Sequence, residues 1–297
     1  MLQSALATGL RQTMQRLVKP VLSPLVPIPV QRTLTRQAYR SSIPPRGCRF
    51  ENTRLGGVPT VKASYGKPGK RAVLYFHGGA YIIGSPQTHQ GLTGHLAKAS
   101  GAVVYTPDYR LAPENPYPAA LDDAVATYRA LLDQGYQPEH IAIAGDSAGG
   151  GLTLALAMRL RDEQLPQPTS LTLFSPWTDL THSELAAPAS EPVIPQAWID
   201  KAASLYRGNE PLTSPYISPI YGDLSGLPPM LIQVGSEEIL LNDSERLAAK
   251  ARRQGAQVQL EVYNSLWHVF QVHAGQLARA TDAVQTAGEH IRRCMAL

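Results

Sequence analysis

One eleven-residue stretch, Ile141 to Gly151 (Ile-Ala-Ile-Ala-Gly-Asp-Ser-Ala-Gly-Gly-Gly), restricts the fold more than any other part of this chain. The apolar run Ile141–Ala144 reads as a short buried strand, and Ala148 onward reads as a helix packed close against it. A chain that passes from strand to helix in one turn strains the residue at the join, so small neighbours are needed on both sides. Gly145 and Gly149 supply them around Ser147. In such a turn the serine hydroxyl stands above the sheet edge, with the positive end of the helix dipole beneath it. That hydroxyl attacks a carbonyl carbon once a base takes its proton. Glycine-rich turns of this kind also bind phosphates or simply pack, so the reading needs partners from elsewhere in the chain.

The flanking pattern is that of a parallel sheet. Strands at 57–65, 72–77, 101–106, 170–175, 230–234 and 257–262 alternate with helices at 86–99, 117–133, 243–254 and 275–294. Strands separated by helices pair in parallel through right-handed crossovers, giving an open sheet covered on both faces. Leu2, Leu6, Leu10, Met14, Leu17 and Val18 recur at helical spacing, so residues 2–18 read as an amphipathic helix that covers part of a domain, with a place on a membrane surface or a targeting role as the alternatives. Pro20, Pro24, Pro27 and Pro29 end it, and 19–48 reads as a connector. The proline-rich stretch 176–228, with a helix candidate at 198–206, is long for a loop inside a compact sheet, and such insertions are usually lids or binding loops, with an irregular surface excursion as the alternative. The expected organisation is an N-terminal cap segment over 1–48, a catalytic domain over 49–297 and a second cap segment at 180–210.

Ligands of parallel α/β sheets bind beyond the carboxyl ends of the strands, so catalytic parts should follow strands. After strand 72–77 come Gly78 and Gly79, whose N–H groups, with that of Ala148, offer a three-donor oxyanion hole. His77 braces that loop. After the last strand comes His268, the one histidine of eight placed as a C-terminal general base. His89, His95, His140, His182, His273 and His290 read as solvated or locally bonded, and the five-residue step from His268 to His273 is not that of a helical metal pair. The strand before it is followed by Glu237, Glu238 and Asp243. Glu238 is the preferred orienting acid, with Asp243, a helix-capping type, and Glu237 as alternatives. The order serine, acid, histidine is that of an α/β-hydrolase.

Composition removes other classes. Basic and acidic residues number 27 and 23, and no dense Lys/Arg cluster with interleaved aromatics occurs, which argues against nucleic acid as a partner. Two cysteines, Cys48 and Cys294, are too few for a disulfide framework and are not spaced for a metal, which points to reduced thiols in the cytoplasm. No apolar run reaches the ~18–20 residues that stable membrane insertion requires.

Assembled, these pieces resemble the hormone-sensitive-lipase-like esterases of the α/β-hydrolase superfamily over roughly residues 50–296. The resemblance rests on His77-Gly78-Gly79-Ala80-Tyr81, on Tyr109-Arg110-Leu111-Ala112-Pro113-Glu114 with Pro118 to Asp123, on Gly145 to Gly149, on Ser175-Pro176-Trp177-Thr178-Asp179-Leu180 and on His268. It implies an α/β-hydrolase fold with a mostly parallel sheet, helices on both faces and a helical cap. It also implies hydrolysis of short- to medium-chain carboxylic esters without a cofactor or metal, small-molecule ester substrates, and a homodimer. Two departures stand out. Ala80 occupies the third glycine position of the family's loop, and Glu238-Ile239-Leu240 replaces its Asp-Pro-Leu. Amide, lactone or N-acetyl hydrolysis on the same fold, and a non-catalytic receptor, are the alternatives.

Overall fold

The computed structural model describes residues 2–39, 42–188 and 190–295. The chain enters its sheet by a hairpin, β1 (Cys48–Leu55) and β2 (Val58–Tyr65). The two-residue turn Gly56-Gly57 takes φ 54° and 83°, which suits the twist of a tight hairpin. β1 is half exposed and lacks an apolar run, which is why strand periodicity in the sequence begins only at β2. Then follow β3 (Ala72–Phe76), β4 (Val103–Pro107), β5 (Ile141–Asp146), β6 (Ser170–Phe174), β7 (Met230–Gly235) and β8 (Val258–Tyr263). They form one eight-stranded sheet in the order β1-β2-β4-β3-β5-β6-β7-β8. β2 is antiparallel to both neighbours and the rest is parallel.

β3 to β7 are buried at every position, as strands covered on both faces must be. Alternate residues feed two cores: Leu74 and Phe76 join one, Val73 and Tyr75 the other.

The helices are α1 (Leu2–Thr13), α2 (Ile28–Ala38), α3 (Gln90–Ser100), α4 (Ala119–Asp133), α5 (Ala148–Asp162), α6 (Gln196–Tyr206), α7 (Leu241–Arg253) and α8 (Ala278–Cys294). α3 and α8 cover one face through Leu92, Leu96, Val284 and Ile291. α4, α5 and α7 cover the other through Leu121, Tyr128, Leu152 and Leu247.

α1 runs into a π-helical turn, Met14–Val18, with Met14 and Val18 buried. The connector expected over 19–48 is corrected by α2. Pro27 is its N-cap and Pro29 lies in its first turn, where the fixed φ suits a helix and the missing N–H costs nothing. The prolines that stop one helix therefore start the next. α2 and α6 are pinned together by the buried Gln31, whose amide oxygen accepts the Trp198 indole N–H at 2.7 Å. The Gln31 amide nitrogen donates to the Ser23 and Val26 carbonyls at 2.9 and 2.8 Å. Arg32 of α2 donates to the Ile82 and Ala112 carbonyls at 2.8 and 3.0 Å and forks onto Glu114, fastening α2 to the loop after β3.

Candidate active site

β5 ends at Asp146 and α5 starts at Ala148, so Ser147 alone makes the turn. It takes φ 51° and ψ −120°, a conformation that a side-chain-bearing residue keeps only where its surroundings impose it. Close packing imposes it here. A Cβ on Gly149 would stand 1.9 Å from the Phe76 carbonyl oxygen, and one on Gly145 would stand 2.3 Å from that of Gly149. The Ser147 N–H donates to the Phe174 carbonyl at 2.9 Å, which holds the turn on β6.

His268 lies past β8, and its Nδ1 meets the Glu238 carboxylate at 3.2 Å. Glu238 is fully buried, and its other oxygen accepts the Ser175 hydroxyl at 2.7 Å and the Gly235 N–H at 3.0 Å. The same Ser175 oxygen accepts the Val269 N–H at 3.1 Å. Val269 sits at φ 50°, an unfavourable value for a β-branched side chain, so one hydroxyl holds both the carboxylate and the strained turn beside the imidazole. Burial opposes the charged imidazole, but the Glu238 charge and hydrogen bond, with Glu191 and Asp146 further off, outweigh it and raise the His268 pKa above 6.5. Ser147 and His268 line one pocket. Among the described residues neither the Ser147 hydroxyl nor His268 Nε2 has a hydrogen-bond partner.

The other two carboxylates weighed for the acid lie elsewhere. Asp243 accepts the Thr178 and Asp179 N–H groups at 2.8 and 2.9 Å, and burial pushes its pKa up to about 7. Glu237 pairs with Arg11 at 2.7 Å.

The loop after β3 corrects one expectation. The Gly78 N–H is donated to Asp146 Oδ1 at 3.0 Å, so it is not free for an oxyanion. Gly79 and Ala80 follow at φ 120° and 52° and line the pocket, and among the described residues their N–H groups make no hydrogen bond. Ala80 thus adopts a left-handed conformation that glycine enters more cheaply. The Ala148 N–H opens α5, where the helix supplies it no acceptor.

Beneath the loop Asp146 also accepts the Tyr75 hydroxyl at 2.6 Å and meets His89 Nε2 at 3.3 Å. Burial works against its charge, but His89 and the Tyr75 bond outweigh that and lower its pKa. Tyr109 donates its hydroxyl to the His77 carbonyl at 2.7 Å and stacks on the His77 ring at 4.3 Å. Burial drives the His77 pKa down to about 3, so the ring braces the loop as a neutral group.

His89, His273 and His290 are buried rather than solvated, and His89 is locally bonded, its Nδ1 meeting the Thr88 hydroxyl at 2.8 Å and the Ser85 carbonyl at 3.3 Å. His89, Thr88 and Tyr39 line the pocket unannounced by any motif. Glu191 is a further residue that only the structure reveals. Its carboxylate accepts the N–H groups of Val193 and Ile194 at 2.6 and 2.9 Å and that of Ile239 at 2.8 Å, tying the pocket wall to the turn that carries Glu238. Ser175 had a signal, because it directly follows β6 as the strand-end rule demands. Among the described residues no group of three His, Cys, Asp or Glu is arranged to hold a metal.

Known proteins resemble this chain over most of its length. A family model described as alpha/beta hydrolase fold matches residues 73–272. An acetyl-hydrolase of Streptomyces hygroscopicus is 41% identical over 246 residues, covering 80% of this chain and 82% of its own. An esterase of Acinetobacter venetianus is 36% identical, with 80% and 79% covered. The crystal structure of EstE5 aligns with a TM-score of 0.92 at 36% identity over 98% of this chain and 99% of that one. A hormone-sensitive lipase from a metagenome library aligns at 0.90 and 39%, with 99% of both covered. On the matched family model and these relatives, the chain belongs to the hormone-sensitive-lipase-like esterases of the α/β-hydrolase fold.

Proposed function

We propose that this carboxylic ester hydrolase works by two-step acyl transfer, with Ser147 as nucleophile, His268 as general base and Glu238 as the acid that orients it. His268 takes the Ser147 proton as the oxygen attacks the ester carbonyl; the oxyanion rests on the N–H groups of Gly79, Ala80 and Ala148. His268 then protonates the leaving alcohol, and a water that it activates releases the acid. The observation that carries this reading is the Glu238–His268 hydrogen bond opening on the pocket of the strained Ser147.

Residues 1–48 and 180–210 act as the two parts of a cap over a catalytic domain spanning 49–297. Val18, Leu22, Val193, Ile194 and Trp198 from those segments line the pocket, an apolar enclosure suited to short- and medium-chain acyl groups. The acetyl-hydrolase name of the Streptomyces relative favours acetyl among them. Cytoplasmic location accords with the two free cysteines, and a homodimer belongs to the same reading.

Ser147→Ala should abolish hydrolysis of p-nitrophenyl acetate and labelling by a fluorophosphonate while leaving the fold intact. Retention of more than about a hundredth of the activity counts against the mechanism, since losing such a nucleophile costs about 10⁶ in kcat. A falling rate from acetate to octanoate tests the chain-length reading.

A further inference from the structure

Charge in this chain is segregated. Residues 1–50 carry seven arginines and Lys19 with no Asp or Glu, whereas the remaining 247 residues hold 19 basic against 23 acidic side chains. The same segment holds five of the seven large hydrophobic side chains exposed among the described residues: Leu17, Leu25, Val30, Leu34 and Ile43, with Leu17 67% and Leu25 90% exposed. Val30 and Leu34 are one turn apart on α2. Leu17 and Leu34 line a shallow groove with Val21 and Ala38, and Val18 and Thr35 line both that groove and the pocket of Ser147. The outer apolar face and the pocket are therefore a single layer of side chains apart.

Arg11 and Arg32 are committed to Glu237 and Glu114. Arg16 and Arg36 are exposed and form no salt bridge among the described residues, although the Arg36 charge reaches Asp108. Apolar side chains flanked by unpaired cations fit a surface that is apolar inside and anionic outside. A second copy could cover the leucines, but it would bring the same cations face to face.

We propose that residues 14–38 form a peripheral docking face for an anionic lipid bilayer, with Leu17, Val30 and Leu34 entering the headgroup boundary and Arg16 and Arg36 against the phosphates. No helix among the described residues is long and apolar enough to cross a membrane, so the attachment is superficial.

The test is flotation of the full chain with phosphatidylcholine vesicles containing about one-third phosphatidylserine, beside pure phosphatidylcholine vesicles. The anionic vesicles should retain the protein and lose it as salt rises, while the neutral ones release it. Arg16→Gln with Arg36→Gln should weaken partitioning about 30-fold, at roughly fivefold per cation. Leu17→Ser with Leu34→Ser should weaken it by a separate route. Both pairs should hydrolyse a soluble ester as the parent does, which reports the fold and the catalytic site independently. Equal retention on both vesicle types, or variants that bind like the parent, would overturn the proposal. So would a dimer in solution that Leu17→Ser with Leu34→Ser dissociates.

Discussion

Replacing Glu238 by Gln should turn His268 into the wrong tautomer. The carboxylate oxygen facing Ser175 and Gly235 accepts two donors, at 2.7 and 3.0 Å. The backbone N–H cannot reverse its polarity, so the Gln oxygen must occupy that position. Its NH2 group then faces His268 Nδ1, where the other carboxylate oxygen now lies at 3.2 Å. Turning the amide round would set two donors head-on and leave buried groups unpaired at about 1–3 kcal/mol each. With an NH2 donor opposite, Nδ1 must accept, so the imidazole proton moves to Nε2 and no lone pair remains to take the Ser147 proton. A tautomer error of this kind costs about 10⁴ in kcat, on the order of 5.5 kcal/mol. The assay is kcat on p-nitrophenyl acetate for Glu238→Gln, Glu238→Ala and Asp243→Asn, with urea unfolding to establish that each folds. The Gln variant, though closest in shape, should be no more active than the Ala variant, because Ala leaves the imidazole free to choose its tautomer. Glu238→Gln retaining more than about a tenth of the activity, against the ~10⁴ loss, would refute the reasoning. So would an equal loss in Asp243→Asn.

Three further outcomes follow from the geometry. Gly149→Ala drives a Cβ to 1.9 Å from a backbone carbonyl that cannot swing aside; thermal unfolding should report a loss of about 3 kcal/mol or more, and a change under ~0.5 would contradict the packing argument. Because the base must be neutral and His268 is raised above 6.5, kcat/KM should fall on the acid side with a midpoint above that value; Glu191→Gln should lower the midpoint, and an unmoved one removes Glu191 from the electrostatics. Asp243 titrates at about 7 when folded against about 3.9 when unfolded, so its protonated form stabilises fully below about pH 4 and that gain is lost as pH rises through about 7. Asp243→Asn should flatten the difference in urea midpoint between about pH 5 and about pH 8, and an unchanged slope would remove Asp243 as its source.

Much of the fold is legible along the chain because each central strand carries its own evidence. A strand buried on both faces must be apolar throughout, as Ala72–Phe76 and Ile141–Ala144 are, and a helix follows each. β1 escaped because an edge strand with polar residues on its open face has no apolar run. α2 escaped because proline means one thing inside a helix and the opposite in its first turn, and only the observed backbone says which applies.

Local pattern alone determined the elbow at Ser147, the glycine loop after β3 and the histidine after the last strand, since each is a short run whose backbone demands are met by its immediate neighbours. Only the tertiary structure decided where individual donors point. The Gly78 N–H is taken by a carboxylate 68 positions away, and Ser175 joins Glu238 to Val269 from a third strand end. A hydrogen bond is assigned by whichever acceptor folding brings within about 3 Å, a distance that sequence separation does not encode.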